Sequence, residues 1–208
     1  MFQIRPYSKE QLDAFTTPAQ IAGGNMEAYP KILYDTQTYV AAGSATLLTF
    51  FTTTNADLTL SNMEGPGQLP DPKYFNIWQM RCHVILPESD AAAPTAWRDL
   101  QSIVDTRRPR FRITIQDKPY GDIPLICMPT VGGLNGFGYT DGTGAGVVSH
   151  EYALNGPPTG GFWVGGALWL KPKVNFSATI QWGGATAAVA ADTLIRIELG
   201  GVEYRAIV

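Results

Sequence analysis

The sequence predicts an all-β protein, a jelly-roll β-sandwich of about eight antiparallel strands with one short inserted helix and a short N-terminal arm. The first observation behind this prediction is an alternation of apolar and polar residues in several short segments, which is typical of strands buried on one face. The second is composition, because 22 glycines, 15 prolines and a charged fraction of 16% in 208 residues indicate many turns and few long helices. A chain of this length fits one domain, placed at residues 39–208 after an arm at residues 1–38.

The arm contains a short candidate helix. Ser8 and Gln11 have the spacing of a capping box, Leu12 and Phe15 follow on one side, and the next proline ends the helix after about two turns. A helix this short needs a surface to pack on, which is either its own domain or a neighbouring subunit. Leu12 and Phe15 are therefore candidate subunit-interface residues.

The strands are predicted from Tyr39 onward. In residues 76–86 the even positions, including Trp78 and Cys82, are apolar, whereas His83 lies on the polar face. Residues 110–116 and 174–182 repeat this pattern, and Trp182 is in phase with the core. Two short hairpins are expected, one of them at two adjacent glycines, residues 200 and 201. The predicted strands are 39–52, 76–86, 110–116, 120–128, 162–170, 174–182, 194–199 and 202–208.

Three segments connect these strands. Prolines at 66, 70 and 72 forbid ladder pairing, so residues 61–73 are expected to cross between the sheets. Apolar residues at helical spacing, from Trp97 to Val104, predict the inserted helix before Pro109. The glycine-rich residues 132–161 are expected to form a long loop.

No group of residues has the pattern of a reaction centre. His83 and His150 are too few for a histidine-rich metal site, and Ser149, His150 and Glu151 are sequence neighbours, whose side chains seldom converge as a catalytic triad does. The glycine-rich segment lacks the Gly-Lys-Ser/Thr ending of a phosphate loop. We therefore expect no catalytic, cofactor-binding or metal-binding residues, and no enzymatic activity. The two cysteines are expected to be reduced core residues.

The densest basic patch consists of four arginines, Arg107, Arg108, Arg110 and Arg112. Guanidinium groups pair well with carboxylates, so these residues are interpreted as a surface or subunit interface. Contact with nucleic acid is the less favoured alternative, because the net charge is −3, with 15 basic and 18 acidic residues.

Two tryptophans support a different interpretation. Trp163 and Trp169 are not assigned to the core by their phase, and exposed indole rings can stack on sugars. The alternative function is therefore a carbohydrate-binding β-sandwich module.

The sequence shows no pattern of a membrane-spanning segment. The longest apolar run, residues 161–170, is shorter than the roughly 20 residues of such a helix. The first residues lack the pattern of a secretion signal, so we expect a soluble protein made in the cytoplasm.

Short turn-rich motifs between about residues 50 and 130 carry a family resemblance. The motifs are Thr54-Asn55, Asn62-Met63, Gly67-Gln68-Leu69-Pro70, Phe75-Asn76-Ile77, Ile85-Leu86-Pro87, Phe111-Arg112-Ile113-Thr114-Ile115, Tyr120-Gly121 and Ile123-Pro124-Leu125. In these motifs the chain resembles the jelly-roll capsid proteins of icosahedral bacteriophages, including small tailless ones.

The resemblance implies a virion protein that assembles into pseudo-hexagonal capsomers, often as trimers, with arms and loops that overlap adjacent subunits. Its partners would be copies of itself and other virion proteins, with no cofactor. At 208 residues the chain is too short for a double roll, so one roll per chain is expected. Roles as a major capsid, decoration or spike-base protein are all compatible with a single roll. Under the carbohydrate-binding alternative, the module would belong to a phage spike or decoration protein.

Overall fold

The computed structural model describes residues 26–43, 45–54, 57–85, 103–104, 107–128, 134–141, 148–155, 161–186, 188–189 and 192–206. A short 3-10 turn spans Leu125–Cys127. The strands within these ranges are β1 (Met26–Tyr39), β2 (Leu47–Phe50), β3 (Tyr74–Ile85), β4 (Arg110–Ile115), β5 (Lys118–Pro124), β6 (Leu134–Asp141), β7 (Val148–Asn155), β8 (Phe162–Leu170), β9 (Phe176–Gln181) and β10 (Thr193–Ala206).

Two four-stranded antiparallel sheets form the sandwich. The first sheet has the order β1-β10-β3-β8, the second has the order β2-β9-β4-β5, and β6 and β7 form a separate hairpin. Apart from this hairpin, the first strand pairs with the last, the second with the next to last, the third with β8, and β4 with β5. This nested pairing is the topology of a jelly roll, so the predicted fold class is confirmed.

The main core lies between the two sheets. Alternation in β10 directs Ile195, Ile197 and Leu199 into the core, and alternation in β4 directs Phe111 and Ile113 towards them. All five side chains are fully buried. Burial of each such side chain contributes about 1.5–3 kcal/mol, so the facing apolar rows hold the sheets together.

A β-bulge in β3 reverses the phase of its side chains. The pairing with β10 shifts between Gly200 and Gly201, which lie opposite Gln79 and Ile77, and this leaves Trp78 as the extra residue. Phe75 and Ile77 therefore face the core before the bulge, and Met80 faces it afterwards. The expectation that Trp78 belongs to the main core is wrong, because its half-buried ring packs against a second cluster on the outer face of the first sheet.

The predicted hairpin at residues 200 and 201 is also wrong, because β10 continues through both glycines. The strand pairs with β1 along its whole length and with β3 on its other side. A Cβ atom built on Gly201 would lie 2.0 Å from the backbone oxygen of Asn76. The glycine is thus required by close approach of two backbones at the bulge and not by a turn.

The boundary of the predicted arm requires correction, because residues 26–38 belong to β1. Leu33 faces the core, but the same face of the strand carries Lys31, Asp35 and Gln37. These polar residues conceal the alternation in the sequence. Leu12 and Phe15 lie outside the described residues.

Two further expectations concern the connections. Residues 132–161 do not form one long loop, since they contain the hairpin of β6 and β7. The predicted inserted helix lies largely outside the described residues. Within it the structure describes Ile103 and Val104, and both are helical. In the described part of the chain, no helix has the length and apolar character needed to cross a membrane.

The proline-rich segment 66–72 is attached to the connection between β8 and β9. The Phe176 amide donates to the carbonyl of Gly67, and the Lys173 amide donates to the carbonyl of Leu69. Leu69 is buried and belongs to the main core. The carbonyl groups of the segment thus attach it to the end of the sandwich, where Leu69 completes the core.

Both cysteines are free thiols, but only one is a core residue. Cys82 is buried in β3, and burial raises its pKa to about 12. Cys127 is exposed at the end of the 3-10 turn, which contradicts the expectation of two core cysteines.

Candidate functional site: the arginine groove

The predicted arginines lie on the outer face of the second sheet. Because β4 directs Phe111 and Ile113 into the core, the side chains of Arg110 and Arg112 extend towards solvent. The pairing register places Arg110 opposite Gln181 of β9. The arginines thus stand on a rigid pair of strands.

These side chains line a concave site of about 270 Å³, called here the arginine groove. It brings together residues from β4, β5 and β9, from the turn that precedes β4 and from the segment that follows β9. Its lining residues are Arg108, Arg110, Arg112, Asp122, Thr179, Gln181, Trp182 and Gly183.

Asp122 of β5 is the acidic residue of the groove. Arg110 donates from Nε to the carboxylate at 2.6 Å and from Nη2 to the backbone oxygen of Asp122 at 2.8 Å. Arg112 lies farther away, with Nη2 at 3.9 Å from the carboxylate. The hydrogen bond from Arg110 and the charges of both arginines lower the pKa of Asp122. The carboxylate is therefore ionised at neutral pH and is occupied mainly by Arg110.

Arg107 and Arg108 form the turn that leads into β4. Both residues have left-handed backbone angles, with φ of 67° and 49°. Such a conformation costs about 1 kcal/mol or more for a residue other than glycine. The turn is held by the amide of Gly183, which donates to the carbonyl of Arg107 at 2.9 Å. Arg108 lines the groove, whereas Arg107 does not, so three of the four predicted arginines come together.

A second hollow of about 200 Å³ adjoins the groove at Arg108 and Arg110, and we call it the apolar hollow. Ile126 contributes a large apolar side chain that is 59% exposed. The other lining residues are Val104, Pro109 and Pro124. This hollow was not visible in the sequence, because its residues come from segments whose proximity only the fold reveals.

The two candidate glycan-stacking tryptophans have different surroundings. Trp163 is 55% exposed and lies opposite Gln79 on the first sheet. Trp169 packs against the ring of Tyr204, with 5.5 Å between centroids and 31° between planes. Their partners on β3 are Gln79 and Asn76, three positions apart, so the two tryptophans are about 10 Å apart along the sheet.

An ionic cluster at one end of the first sheet was not predicted from the sequence. Glu203 is fully buried, and it accepts a hydrogen bond from the Tyr29 hydroxyl and contacts the Lys31 ammonium. Lys31 also lies 3.7 Å from Glu64, which binds Lys73 at 2.6 Å. Burial, followed by the hydrogen bond to Glu203, raises the pKa of Tyr29 to about 12. Each carboxylate of this cluster is thus paired with a lysine, Glu203 with Lys31 and Glu64 with Lys73.

The histidines do not assemble a metal site in the part of the chain that the structure describes. His83 Nε2 lies 3.1 Å from the carboxylate of Glu198. His150 lies in β7 as the middle member of three consecutive strand residues, Ser149, His150 and Glu151. Among the described residues, no group of three histidine, cysteine or acidic side chains is placed to hold a metal ion.

Comparison with known proteins gives no further assignment. The chain matches no protein-family model, and no curated protein or solved structure is significantly similar to it. The fold and the surface chemistry of the described residues are therefore the basis for a functional proposal.

Proposed function

We propose that the protein is a virion structural protein, a jelly-roll subunit that assembles with copies of itself into the capsid of a bacteriophage. The observation that carries this proposal is the nested strand pairing around an interior filled with apolar side chains. Three buried polar side chains support it, because each one is bound to a partner within the fold, as expected of a structural role. Asp35 accepts from the Phe51 amide, Asn76 donates to the Gly166 carbonyl, and Glu203 pairs with Lys31.

A group of exposed apolar residues supports assembly through one end of the sandwich. Val40 follows β1, Leu47 begins β2 and Ile85 ends β3, and we call these three residues the apolar end. Their exposed fractions are 53%, 48% and 38%. Burial of such side chains against a second copy stabilises an oligomer by the same effect that forms the core. Leu12 and Phe15 remain candidate interface residues under this proposal.

Electron microscopy and sedimentation of the purified chain test the proposal. A trimer or a larger particle is expected, and closed shells or capsomers in micrographs would establish the class of protein. The double variant Val40→Glu/Leu47→Glu should lower the oligomeric state. Leu58→Glu is the control, because Leu58 is 71% exposed but lies outside the apolar end. A chain that stays monomeric at all micromolar concentrations would contradict the proposal.

A carbohydrate-binding module of a phage spike or decoration protein is the second candidate function. Exposed Trp163 favours it, since an accessible indole face can stack on a sugar ring. Trp169 gives less support because Tyr204 packs against its ring. Binding to a glycan array that is lost in Trp163→Ala, with unchanged thermal unfolding, would favour this candidate. Absence of binding across a broad array would eliminate it.

A further inference from the structure

We infer that the arginine groove binds the phosphate backbone of a single nucleic-acid strand. This inference goes beyond the proposed assembly function and does not depend on it, because an isolated chain presents the same groove. It also reverses the preference from sequence, which favoured carboxylates of a neighbouring subunit as the partner of these arginines.

Positively charged side chains predominate in the groove. Three arginines and one aspartate line it, which leaves a surplus of positive charge. Asp122 is engaged mainly by Arg110, at 2.6 Å, whereas its distance to Arg112 is 3.9 Å. Arg108 takes part in none of the ion pairs among the residues that the structure describes. Two guanidinium groups are therefore available to an anion, although the chain as a whole has a net charge of −3.

The sheet face around the groove is polar. All outward side chains of the paired strands β4 and β9 are polar, in the register pairs Arg110 with Gln181, Arg112 with Thr179, and Thr114 with Ser177. The centre of a protein–protein interface is usually apolar and depleted of charge. Phosphate groups, in contrast, are bound mainly by arginine together with hydroxyl and amide side chains. The composition of this face matches a phosphate partner better than a second copy of the chain.

The arginines of the groove form a row along the strand. Arg110 and Arg112 are two positions apart on an extended strand, which places their Cα atoms about 6.6 Å apart along β4. Arg108 extends this row at the end near the apolar hollow. A row of positive charge matches a chain of successive phosphates better than one carboxylate.

The apolar hollow is the reason why we expect a single strand to bind in preference to a duplex. It shares Arg108 and Arg110 with the groove, so a base can contact Ile126 while the adjoining phosphates lie on the arginines. Bases in a duplex are stacked and paired, so they are not free to enter such a hollow. Trp182 lines the groove but is only 2% exposed and offers no stacking face. Binding is therefore expected to depend little on base sequence and strongly on salt.

The test measures fluorescence anisotropy of a labelled mixed-sequence strand of about 20 nucleotides with the full chain, at salt concentrations from about 50 to about 200 mM. The double variant Arg108→Gln/Arg112→Gln should bind about tenfold more weakly or worse. The slope of log affinity against log salt should become shallower by about 1.4, because each lost phosphate contact of a single strand contributes about 0.7.

Two further variants separate this role from a structural one. Arg205→Gln is the matched control, since Arg205 is similarly exposed and pairs with Glu27 as Arg110 pairs with Asp122. It should leave binding unchanged. Asp122→Asn should tighten binding several-fold, because it removes the negative charge from the groove. Because loss of stability would not tighten binding, the expected gain in affinity of Asp122→Asn tests the inference even if the double arginine variant is less stable.

Several results would overturn the inference. These are absence of saturable binding at about 50 mM salt, equal losses in the double variant and in Arg205→Gln, and tighter binding of a duplex than of a single strand. Polyglutamate of equal charge that binds as tightly as the oligonucleotide would indicate a site for protein carboxylates. If the double variant loses self-association but retains nucleic-acid binding, the groove is an interface between copies.

Discussion

Lys31 and Glu203 form an ion pair at one end of the sandwich, where adjacent strands β1 and β10 bring their side chains to the same face. The Glu203 carboxylate is fully buried and the Lys31 side chain is 20% exposed. The Tyr29 hydroxyl donates to the second oxygen of the same carboxylate. A buried carboxylate is tolerated only with such partners, because transfer of an unpaired charge from water into a protein is very costly.

Removal of Lys31 should therefore be more harmful than removal of the whole pair. Lys31→Met leaves the Glu203 charge buried and should lower the free energy of unfolding by about 3 kcal/mol. The double variant Lys31→Met/Glu203→Leu should recover much of that loss, because both charges are gone. Urea unfolding measures both values. Glu27→Gln is the control for an exposed pair and should change stability little. A double variant no more stable than Lys31→Met would contradict this account.

The neighbouring glycines of β10 should differ in how well they tolerate a methyl group. A Cβ atom on Gly201 would lie 2.0 Å from the Asn76 oxygen, whereas one on Gly200 would meet only side-chain atoms at 3.6 Å or more. Gly201→Ala should therefore reduce stability by about 3 kcal/mol or prevent folding. Gly200→Ala should be close to neutral. Similar unfolding midpoints for the two variants would show that the bulge does not require glycine at 201.

Glu198 should make the fold sensitive to acid. Burial opposes its ionisation, but contact with His83 and the charges of Arg81 and Arg196 outweigh burial and lower its pKa. A lowered folded-state pKa stabilises the protein above the unfolded value of 4.5, and this contribution is lost as pH falls through the folded-state pKa.

The comparison of wild type with Glu198→Gln at several pH values tests this prediction. Wild type should be the more stable at pH 7, and the difference should shrink below pH 4.5. Urea unfolding at each pH gives the difference. A difference that does not depend on pH would mean that the charge of Glu198 does not contribute.

The two thiols should differ in reactivity in the folded protein. Cys127 is exposed, whereas Cys82 is buried and has a pKa of about 12, so the reactive thiolate of Cys82 is scarce at neutral pH. An aromatic disulfide reagent should label one thiol per native chain and both after unfolding in urea. Cys127→Ser should show almost no labelling until it unfolds. Rapid labelling of native Cys127→Ser would contradict the placement of Cys82.

The fold class was predictable because several strands have one apolar and one polar face. In β4 and β9 the alternation is uninterrupted, and both strands occur close to where the sequence predicts them. β1 was missed because polar Lys31, Asp35 and Gln37 share its inner face with Leu33. The bulge at Trp78 was not visible either, since it depends on the register of β3 against its neighbours.

The arginine groove was predictable only in part. Three of its arginines are close in sequence, so their density was visible without a structure. Asp122, Thr179 and Gln181 come from two other strands, and only the pairing register brings them beside β4. The polar face of β9 was visible in the sequence, but its pairing with β4 was not.

The pairing of β1 with β10 has a consequence for synthesis of the protein on the ribosome. Glu27 and Arg205, which contact each other across this pair, are 178 positions apart in the chain. A ribosome must therefore translate β10 before the first sheet can form the ladders of β10 with β1 and β3. Contacts this distant in sequence slow folding, and the unfinished sheet exposes strand edges to other nascent chains meanwhile.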